Sequence, residues 1–364
     1  MSEVLVVGGG IGGLAAAFTQ ARAGHAVRLV ERSQEFGEVG AGLQLGPNAT
    51  RLLAEWGLLD RVIAAGVLPR RLVFRDAVSA EELSHLDLGA EFQSRYGGPY
   101  VVVHRSDLHR ILLEACETAG VELIRGRAVE RVDTAGSRAT ATCSDGEAYE
   151  ADVVIGADGL QSALRGQIVT DQPLDSGFVA HRGTCPLPDG FNTDEVVAWF
   201  GPDCHFVQYA LRGGELLNQV AVFRGDRTLD TAYATCCAEI GKALPYLWRD
   251  RNWPMLDREP VPTWVRGRLV LLGDAAHPML QYLAQGACQA LEDAHALAAP
   301  GGDWDATLAA YQEVRGPRTA RVQSTARLWG DIWHVDGVGR VLRNELFQRR
   351  DLSDHTYVDW LYGR

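Results

Sequence analysis

The chain has no apolar run long enough to span a bilayer, no cysteine pair at metal or redox spacing, no internal repeat and no surplus of positive charge. Each absence excludes a class of protein. A membrane-spanning helix needs about twenty consecutive apolar residues, so none is expected. The amino terminus enters an aliphatic strand at once and leaves no room for a basic segment, apolar core and cleavage site, so a secretory leader is not expected and the cytoplasm is. Cys116, Cys143, Cys185, Cys204, Cys236, Cys237 and Cys288 are scattered without C-x-x-C spacing. They read as small buried hydrophobes in a reducing compartment, with no metal site and no role for the vicinal pair. A net charge of −12 excludes a nucleic-acid partner, which would demand clustered Lys and Arg. It does not exclude a local basic pocket for an anionic substrate. With 46% hydrophobic and 23% charged residues over 364 positions, the chain is globular and long enough for two cores.

What is present is concentrated at the start. Val4-Leu5-Val6-Val7 runs into Gly8-Gly9-Gly10-Ile11-Gly12-Gly13, and Val27-Arg28-Leu29-Val30 ends on Glu31. Strand, glycine turn, helix, strand and acid in this order make a dinucleotide-binding βαβ unit. Gly8 allows the tight turn, Gly10 lets the backbone approach a pyrophosphate, and Gly13 permits close packing of the Leu14 to Ala23 helix. That helix aims its first N–H groups and the positive end of its dipole at the phosphates. Glu31 accepts from a free ribose diol and would repel a phosphate there, so FAD or NAD fits and NADP does not.

Further along, residues 34 to 48, which include FGEVGAGLQLGPN, form a glycine-rich loop, followed by a helix through Leu52, Leu53, Trp56 and Leu59. Leu72 to Asp76 is a strand leaving the nucleotide domain. Ser106 caps a helix with apolar spacing at Leu108, Ile111, Leu112 and Ala115. Val121 to Ile124 and the segments around Val129 and Ala139 are strands, and Ala151 to Ile155 is a buried strand ending in Gly156-Ala157-Asp158-Gly159. From about residue 171 strand-like stretches at 178–185, 196–200, 205–211 and 216–223 alternate with turns and predict an antiparallel sheet. Leu269 to Leu272 is again a buried strand, and helices follow from about Gly286. The fold class is α/β: a discontinuous Rossmann-like nucleotide domain (1–72, 98–170 and 262–330), an inserted antiparallel substrate domain (73–97 and 171–261) and a C-terminal helical segment (331–364). A ligand is expected between the domains.

Three segments together resemble the flavin-dependent aromatic hydroxylases: the amino-terminal fingerprint, GADGLQSALR (Gly156 to Arg165) and GDAAHPMLQYLAQGACQALEDA (Gly273 to Ala294). The resemblance covers essentially the whole chain. It implies one FAD, with NADH as co-substrate and molecular oxygen as oxidant: NADH reduces the flavin, oxygen forms a flavin hydroperoxide, and an activated ring attacks its distal oxygen. It places Asp158 near the pyrophosphate, Asp274 on the ribitol and Arg105 against the flavin. Arg32, Gly42, Leu43 and Val129 complete the cofactor set. Asp274 also follows a buried strand, at the sheet end where ligands of open α/β sheets bind. Gly286 and Ala287 open a helix whose N–H groups would face the electron-rich end of the flavin. The plainer alternatives are turn or cap residues at Asp158, Asp274 and Gly286, and a surface arginine at Arg105.

The substrate end is similar to the branch of that family that converts 3-hydroxybenzoate to 2,5-dihydroxybenzoate. The residues that carry this are His205-Phe206-Val207-Gln208-Tyr209, Gln281 in Met279-Leu280-Gln281-Tyr282-Leu283, Arg75-Asp76-Ala77, and the ending GVGRVLRNELF with Asp359 to Gly363. The substrate is then a small phenolic acid, with salicylate or a hydroxypyridine acid as relatives of the same reading and a flavin reductase as the alternative without oxygen insertion. Residues two apart on a strand share a face, so His205, Val207 and Tyr209 point together. The four residues span about 13 Å, so His205 and Tyr209 must lean toward each other to touch one ring. A free phenol ionises near pH 10, so forming phenolate at pH 7 costs about 4 kcal/mol, and His205 is the natural base. Tyr209 and Gln281 are expected to orient the ring, and Asp76 is a catalytic candidate or a turn residue. His205 has its own alternative, a hydrogen-bonded structural histidine. No arginine stands beside the His205 stretch to hold a substrate carboxylate. Arg315-Gly316-Pro317-Arg318 reads as a proline kink. Trp329, Trp333 and Phe347 form an apolar face open to core burial or to a homodimer interface.

Overall fold

The continuous aliphatic strands of the sequence become a parallel sheet. A computed structural model describes residues 1–37, 40–298 and 303–363. The chain divides into two compact units, the first made of residues 1–39, 106–174 and 257–324, the second of 40–105, 175–256 and 325–364. Residues 40–72, 98–105 and 325–364 therefore fall in the second unit, not in the nucleotide domain or a separate tail. The local reason is pairing: Gly42–Leu45 forms an antiparallel ladder with Val101–His104, so both stretches travel together.

In the first unit, Glu3–Val7 is the central strand, parallel to Val153–Gly156 on one side and Ala26–Glu31 on the other. Leu269–Leu271 and Glu122–Arg125 extend the parallel array, and Val265–Arg266 adds an antiparallel edge. Burial on both faces explains the unbroken Val/Leu/Ile runs. The helix Ile11–Arg22 follows the first strand and packs on the helix Gly286–Leu297. Small residues allow this contact: a Cβ at Gly12 would stand 2.8 Å from Leu272 Cδ2 and 3.2 Å from Ala290 Cβ. Thr19 and Gln20 donate to the carbonyls of Ala294 and Leu297 at 3.0 and 2.8 Å. A three-stranded antiparallel sheet, Val129–Asp133, Ala139–Cys143 and Ala148–Ala151, completes the unit.

The second unit is built on a seven-stranded sheet. In spatial order its strands are Trp253–Asp257, Leu174–Pro186, Leu216–Arg224, Cys204–Leu211, Glu195–Gly201, Arg71–Asp76 and Glu82–Asp87. It is mixed rather than purely antiparallel, because Arg71–Asp76 lies parallel to Glu195–Gly201. The helix expected through Leu59 is two helices, Pro47–Glu55 and Leu59–Ala65, broken where Gly57 takes φ +75°. Of the expected glycine-rich loop, Glu38 and Val39 lie outside the described residues and Gly42–Leu45 is strand. One 30-residue helix, Trp304–Trp333, runs through Pro317. All seven cysteines are free thiols. Among the described residues no helix is long and apolar enough to cross a membrane.

The turn after the first strand has no room for a side chain. A Cβ on Gly13 would lie 1.9 Å from the Gly8 carbonyl oxygen. Gly13→Ala is therefore expected to destabilise the fold by about 1–3 kcal/mol through overpacking, lowering the urea midpoint. Gly166→Ala, with nothing within 4 Å of the added atom, should leave it in place. Equal midpoints for the two variants would refute this account of the turn.

Candidate functional site

In the first unit the cofactor candidates gather at the carboxyl ends of adjacent parallel strands. Gly8 follows Val7, Glu31 ends the neighbouring strand, Asp158 follows Gly156 by two residues, and Asp274 follows Leu271 by three. This is the crevice where open α/β sheets hold ligands. Gly8 has φ +107°, and a Cβ there would meet the Ala157 carbonyl oxygen at 2.4 Å, so backbone rather than side chain faces the crevice. Gly10 precedes the helix Ile11–Arg22 with no side-chain cap, leaving the first-turn N–H groups as anion donors. Glu31 holds the loop in shape: its Oε2 accepts from Gly9 N–H at 2.7 Å and its Oε1 from Ser33 N–H at 2.8 Å. A carboxylate has further lone pairs for a ribose. Arg32 is exposed beside it, and Val129 is buried in the three-stranded sheet.

Asp158 accepts from Ser162 Oγ at 2.5 Å and Leu164 N–H at 3.3 Å. Burial raises its pKa against those hydrogen bonds. The turn it closes is tied to the second motif by Arg165, a fully buried guanidinium that donates to the carbonyls of Ala275 and Ala276 at 2.9 and 2.6 Å and pairs with Asp171 at 2.8 Å. Asp274 itself is exposed in the short turn Gly273–Ala275. A Cβ on Gly286 would lie 4.0 Å from Asp274 Oδ1, so that carboxylate sits at the start of the helix Gly286–Leu297, whose first turn includes Ala287. Below them Asp293 accepts from Gly273 N–H at 3.0 Å, His277 Nε2 at 2.5 Å and Arg315 Nε at 2.8 Å. Burial would raise the Asp293 pKa, but His277 and Arg315 hold it at about 2. Gln281 lies in the turn Gln281–Leu283 of this unit, and the other three catalytic candidates belong to the second.

In the second unit His205 and Tyr209 share one face of the strand Cys204–Leu211. The opposite face carries Cys204 and Phe206 into a cluster with Trp199, Phe223 and Tyr233, so the expected alternation is observed. The two side chains do not lean together. His205 Nδ1 lies 2.9 Å from His334 Nε2, with the rings nearly parallel at 19° and Trp333 edge-on. Tyr209 packs on Gly42, where a Cβ would stand 2.4 Å from its ring, and bonds the Gln44 side chain. Gly42 N–H donates to Asn218 Oδ1 at 2.7 Å, and Leu43 pairs with Val103. Burial pushes the Tyr209 hydroxyl up, against Arg182 and Gln44, so it stays a donor. Burial, then His334, pushes His205 well below its ordinary value; burial pushes His334 down to about 3, against Asp203 and with Arg224 and Arg343.

Asp76 shares the register line of His205 through Phe200. Its carboxylate is fully buried and already engaged: Arg340 at 2.6 and 2.7 Å, Arg343 at 3.3 Å, Asn344 at 2.9 Å, and the N–H groups of Val78 and Ser79. Burial alone would raise its pKa; these donors hold it well below the usual carboxylate range. The geometry gives it the task of fastening the helix Gly337–Gln348 to the sheet. Trp333 and Phe347 pack inward on Phe74 and Phe200.

Sequence reasoning missed four side chains. Arg165 lies inside the motif Gly156 to Arg165 without a role of its own there, Arg315 reads from sequence as part of a kink, and His334 carries no motif. Arg182 is the arginine that the His205 stretch lacks, two strands away: Val207 pairs with Val220, which pairs with Arg182, placing it on the face of His205 and Tyr209. Its strand was expected, and alternation within a sheet could have pointed to it. Burial, then Arg105, lowers its pKa while Tyr209 raises it. Arg105 donates its N–H to the Ala41 carbonyl at 3.1 Å, and Gly40 leaves room for its side chain.

A family model described as FAD binding domain matches residues 1–182. The chain belongs to the FAD-dependent aromatic hydroxylases and is an FAD-dependent aromatic monooxygenase. Among its relatives, 3-hydroxybenzoate 6-hydroxylase of Klebsiella oxytoca is 38% identical over 99% of this chain and 96% of that one. The 3-amino-4-hydroxybenzoate 2-monooxygenase of Streptomyces cremeus is 36% identical over 100% and 95%. Among solved structures, Klebsiella pneumoniae HpxO complexed with FAD and uric acid superposes with a TM-score of 0.87 at 26% identity, over 96% of this chain and 93% of that one. The first unit fits FAD on its own evidence, since Gly8 and Gly13 close a turn too tight for side chains and Gly10 leaves the first-turn N–H groups of the following helix uncapped, as donors for a pyrophosphate.

The paired histidines set an acid response. His334 has a folded pKa of about 3 against about 6.5 unfolded, so between these values the unfolded chain binds more protons. Stability is present above pH 6.5 and is lost as pH falls through that window. In His334→Phe the slope of unfolding free energy against pH should be shallower than wild type by up to about 1.4 kcal/mol per unit. Urea unfolding at a series of pH values measures it, and parallel slopes would contradict the assignment.

Proposed function

We propose that the chain uses NADH and molecular oxygen, in the cytoplasm, to hydroxylate a small phenolic acid, 3-hydroxybenzoate, to 2,5-dihydroxybenzoate. The observation that carries this reading is one sheet face presenting a buried neutral imidazole, a protonated tyrosine and a half-buried guanidinium at His205, Tyr209 and Arg182. A phenol needs a base, and an attached carboxylate needs a cation. The 38% identity to a 3-hydroxybenzoate 6-hydroxylase supports the substrate, and the 36% identity to a 3-amino-4-hydroxybenzoate 2-monooxygenase favours a second hydroxybenzoate as the competing one.

FAD, when bound, supplies oxygen activation. The residues that would hold it are the first-turn N–H groups after Gly10 for its phosphates, with Asp158 beside them, Glu31 for its ribose, Asp274 for its ribitol, and Gly286 and Ala287 for its flavin ring. Arg105, Gly42 and Leu43 are the cofactor candidates that lie in the second unit. His205 takes the phenolic proton on Nε2, because Nδ1 faces His334. Tyr209 offers a hydroxyl donor further along the same face, and Arg182 pairs the carboxylate. Asp76 is a positioning residue that keeps Trp333 and His334 over this end of the sheet. Their apolar surroundings exclude water from the base.

A panel of 3-hydroxybenzoate, 3-hydroxybenzamide, 3-amino-4-hydroxybenzoate and 6-hydroxynicotinate, scored for NADH use, oxygen uptake and product, tests this. 3-Hydroxybenzoate should give 2,5-dihydroxybenzoate with oxygen matching NADH. Arg182→Gln should raise KM for the acid by about 10–100-fold, the worth of a charged hydrogen bond, and leave the amide unchanged. His205→Ala should keep FAD and oxidise NADH while hydrogen peroxide replaces product. Coupled hydroxylation of another compound in preference would replace the substrate, and full product from His205→Ala would remove the base.

A further inference from the structure

Cys204 and Cys236 have no part in the chemistry above, yet the fold brings their sulfurs to 3.9 Å from 32 positions apart in the chain. The geometry points to a modification site: hydrogen peroxide oxidises Cys236, and Cys204 closes the product into a reversible disulfide between the sheet and the loop 233–237. Cys204 begins the strand Cys204–Leu211 and, on the face opposite His205, enters the apolar cluster with Phe206, Phe223 and Tyr233. Its sulfur packs over Gly201, where a Cβ would stand 3.0 Å away. Cys236 lies between the short helices Leu229–Ala232 and Ala238–Ala243, packed against the same cluster and partly exposed. Hydrogen bonds hold this loop in place. The Tyr233 hydroxyl lies 2.6 Å from the His205 carbonyl oxygen and 2.9 Å from that of Val222. Cys236 N–H donates to the Tyr233 carbonyl at 3.0 Å, and Cys237 N–H to the Ala77 carbonyl at 2.7 Å.

The two sulfurs are unequal, and the inequality assigns their roles. Cys236 reaches solvent, whereas Cys204 is 1% exposed. The Cys204 thiol, donating to the Cys236 sulfur, lowers the Cys236 pKa against burial and the Asp76 carboxylate, with Arg340 assisting. The same contact, together with burial, raises Cys204. A partly exposed thiolate beside a second thiol is the form that peroxide attacks, and the buried neighbour is the one that resolves it. The vicinal pair therefore splits in function. Cys237 is pushed up, by burial first, and is the less reactive of the two. Cys116, Cys143, Cys185 and Cys288 are buried.

The oxidant belongs to the chemistry of the class, because an oxygen-activating flavoprotein releases hydrogen peroxide whenever oxygen is reduced without entering a ring. The Cys236 thiolate attacks one peroxide oxygen, the O–O bond breaks, and a sulfenic acid forms as hydroxide leaves. The Cys204 sulfur then attacks the Cys236 sulfur: the S–S bond forms, the S–O bond breaks, and the Cys204 thiol proton departs with the hydroxyl as water. Each sulfur has given one electron to peroxide, and the hydroxide regains the proton that Cys236 first lost, so two waters result. An added dithiol reverses the change by exchange and is itself oxidised. Bonding needs the sulfurs to close from 3.9 Å to about 2.05 Å. That movement acts on the turn at Asp203, whose N–H donates to the His334 carbonyl at 3.1 Å, and on His205, next in the chain. Closure also spares Cys236 from the irreversible higher oxidation states.

The test treats the FAD-loaded enzyme with hydrogen peroxide at a concentration and for a time that oxidise free cysteine fully. Intact mass, thiol titration after unfolding and peptide mapping are compared for wild type, Cys204→Ala, Cys236→Ser and Cys237→Ser. Wild type should lose two of its seven thiols, yield one cross-linked peptide pair containing Cys204 and Cys236, and regain both thiols with dithiothreitol. Cys237→Ser should behave as wild type. Cys204→Ala should lose the cross-link and leave Cys236 open to a diketone probe for sulfenic acid. Cys236→Ser should slow oxidation of Cys204 by about tenfold or more, since the buried thiol is left without its reactive neighbour. Cys204→Ala removes an atom from a packed cluster, so the wild-type map and Cys236→Ser are decisive without it. Seven intact thiols in wild type overturn the inference, as does a cross-link between Cys236 and Cys237. Oxidation of Cys204 at the wild-type rate in Cys236→Ser overturns it too.

Discussion

A carboxylate taken out of water must be matched on nearly every lone pair, and Asp76 is where the second unit meets that demand. Two guanidinium groups, an amide and two backbone N–H groups converge on it. Removing one partner from such a cluster would leave an uncompensated charge worth several kcal/mol. The side-chain partners all come from one short helix near the end of the chain, and Arg343 also donates to the Trp333 carbonyl, so satisfying the acid also fixes where Trp333 and His334 stand. The imidazole pair, the aromatic wall over Phe200 and the dryness around His205 all follow from that single anchoring.

The first unit solves the same problem with Asp293. Here the buried acid gathers His277, Arg315 and the N–H of Gly273, and the turn that carries Asp274 inherits its shape. Arg165 acts between the two loop motifs in a similar way, through carbonyls rather than acids. Rigid loops at a sheet end give a cofactor donors that need no reorganisation. Both units thus place functional groups on scaffolds fixed by buried ion pairs.

The readable part of this chain was the part governed by local rules. The βαβ fingerprint, the strands at 196–200 and 205–211, and the face shared by His205 and Tyr209 follow from glycine geometry and period-two alternation. The parallel pairing of Arg71–Asp76 was not readable, because strand neighbours far apart in sequence leave no periodic trace. Asp76 reads from sequence as a turn residue or a catalytic candidate, since its local N–H partners are those of a turn and its side-chain partners lie more than 260 residues away. His334 was invisible for the same reason, and Arg182 was overlooked because the search for a cation stayed on one strand. Domain limits at 72 and 98 slipped because the Gly42–Leu45 pairing with Val101–His104 is a tertiary fact.

The bare backbone at Gly42 has a wider meaning. Tyr209 occupies the volume that any larger residue at 42 would claim, so the reach of that phenol ring over its sheet is decided by a hydrogen atom on a neighbouring ribbon. Substrate size in such a protein is then partly a main-chain property. A lineage could retune it by a single methyl group at a position that never touches the molecule being oxidised.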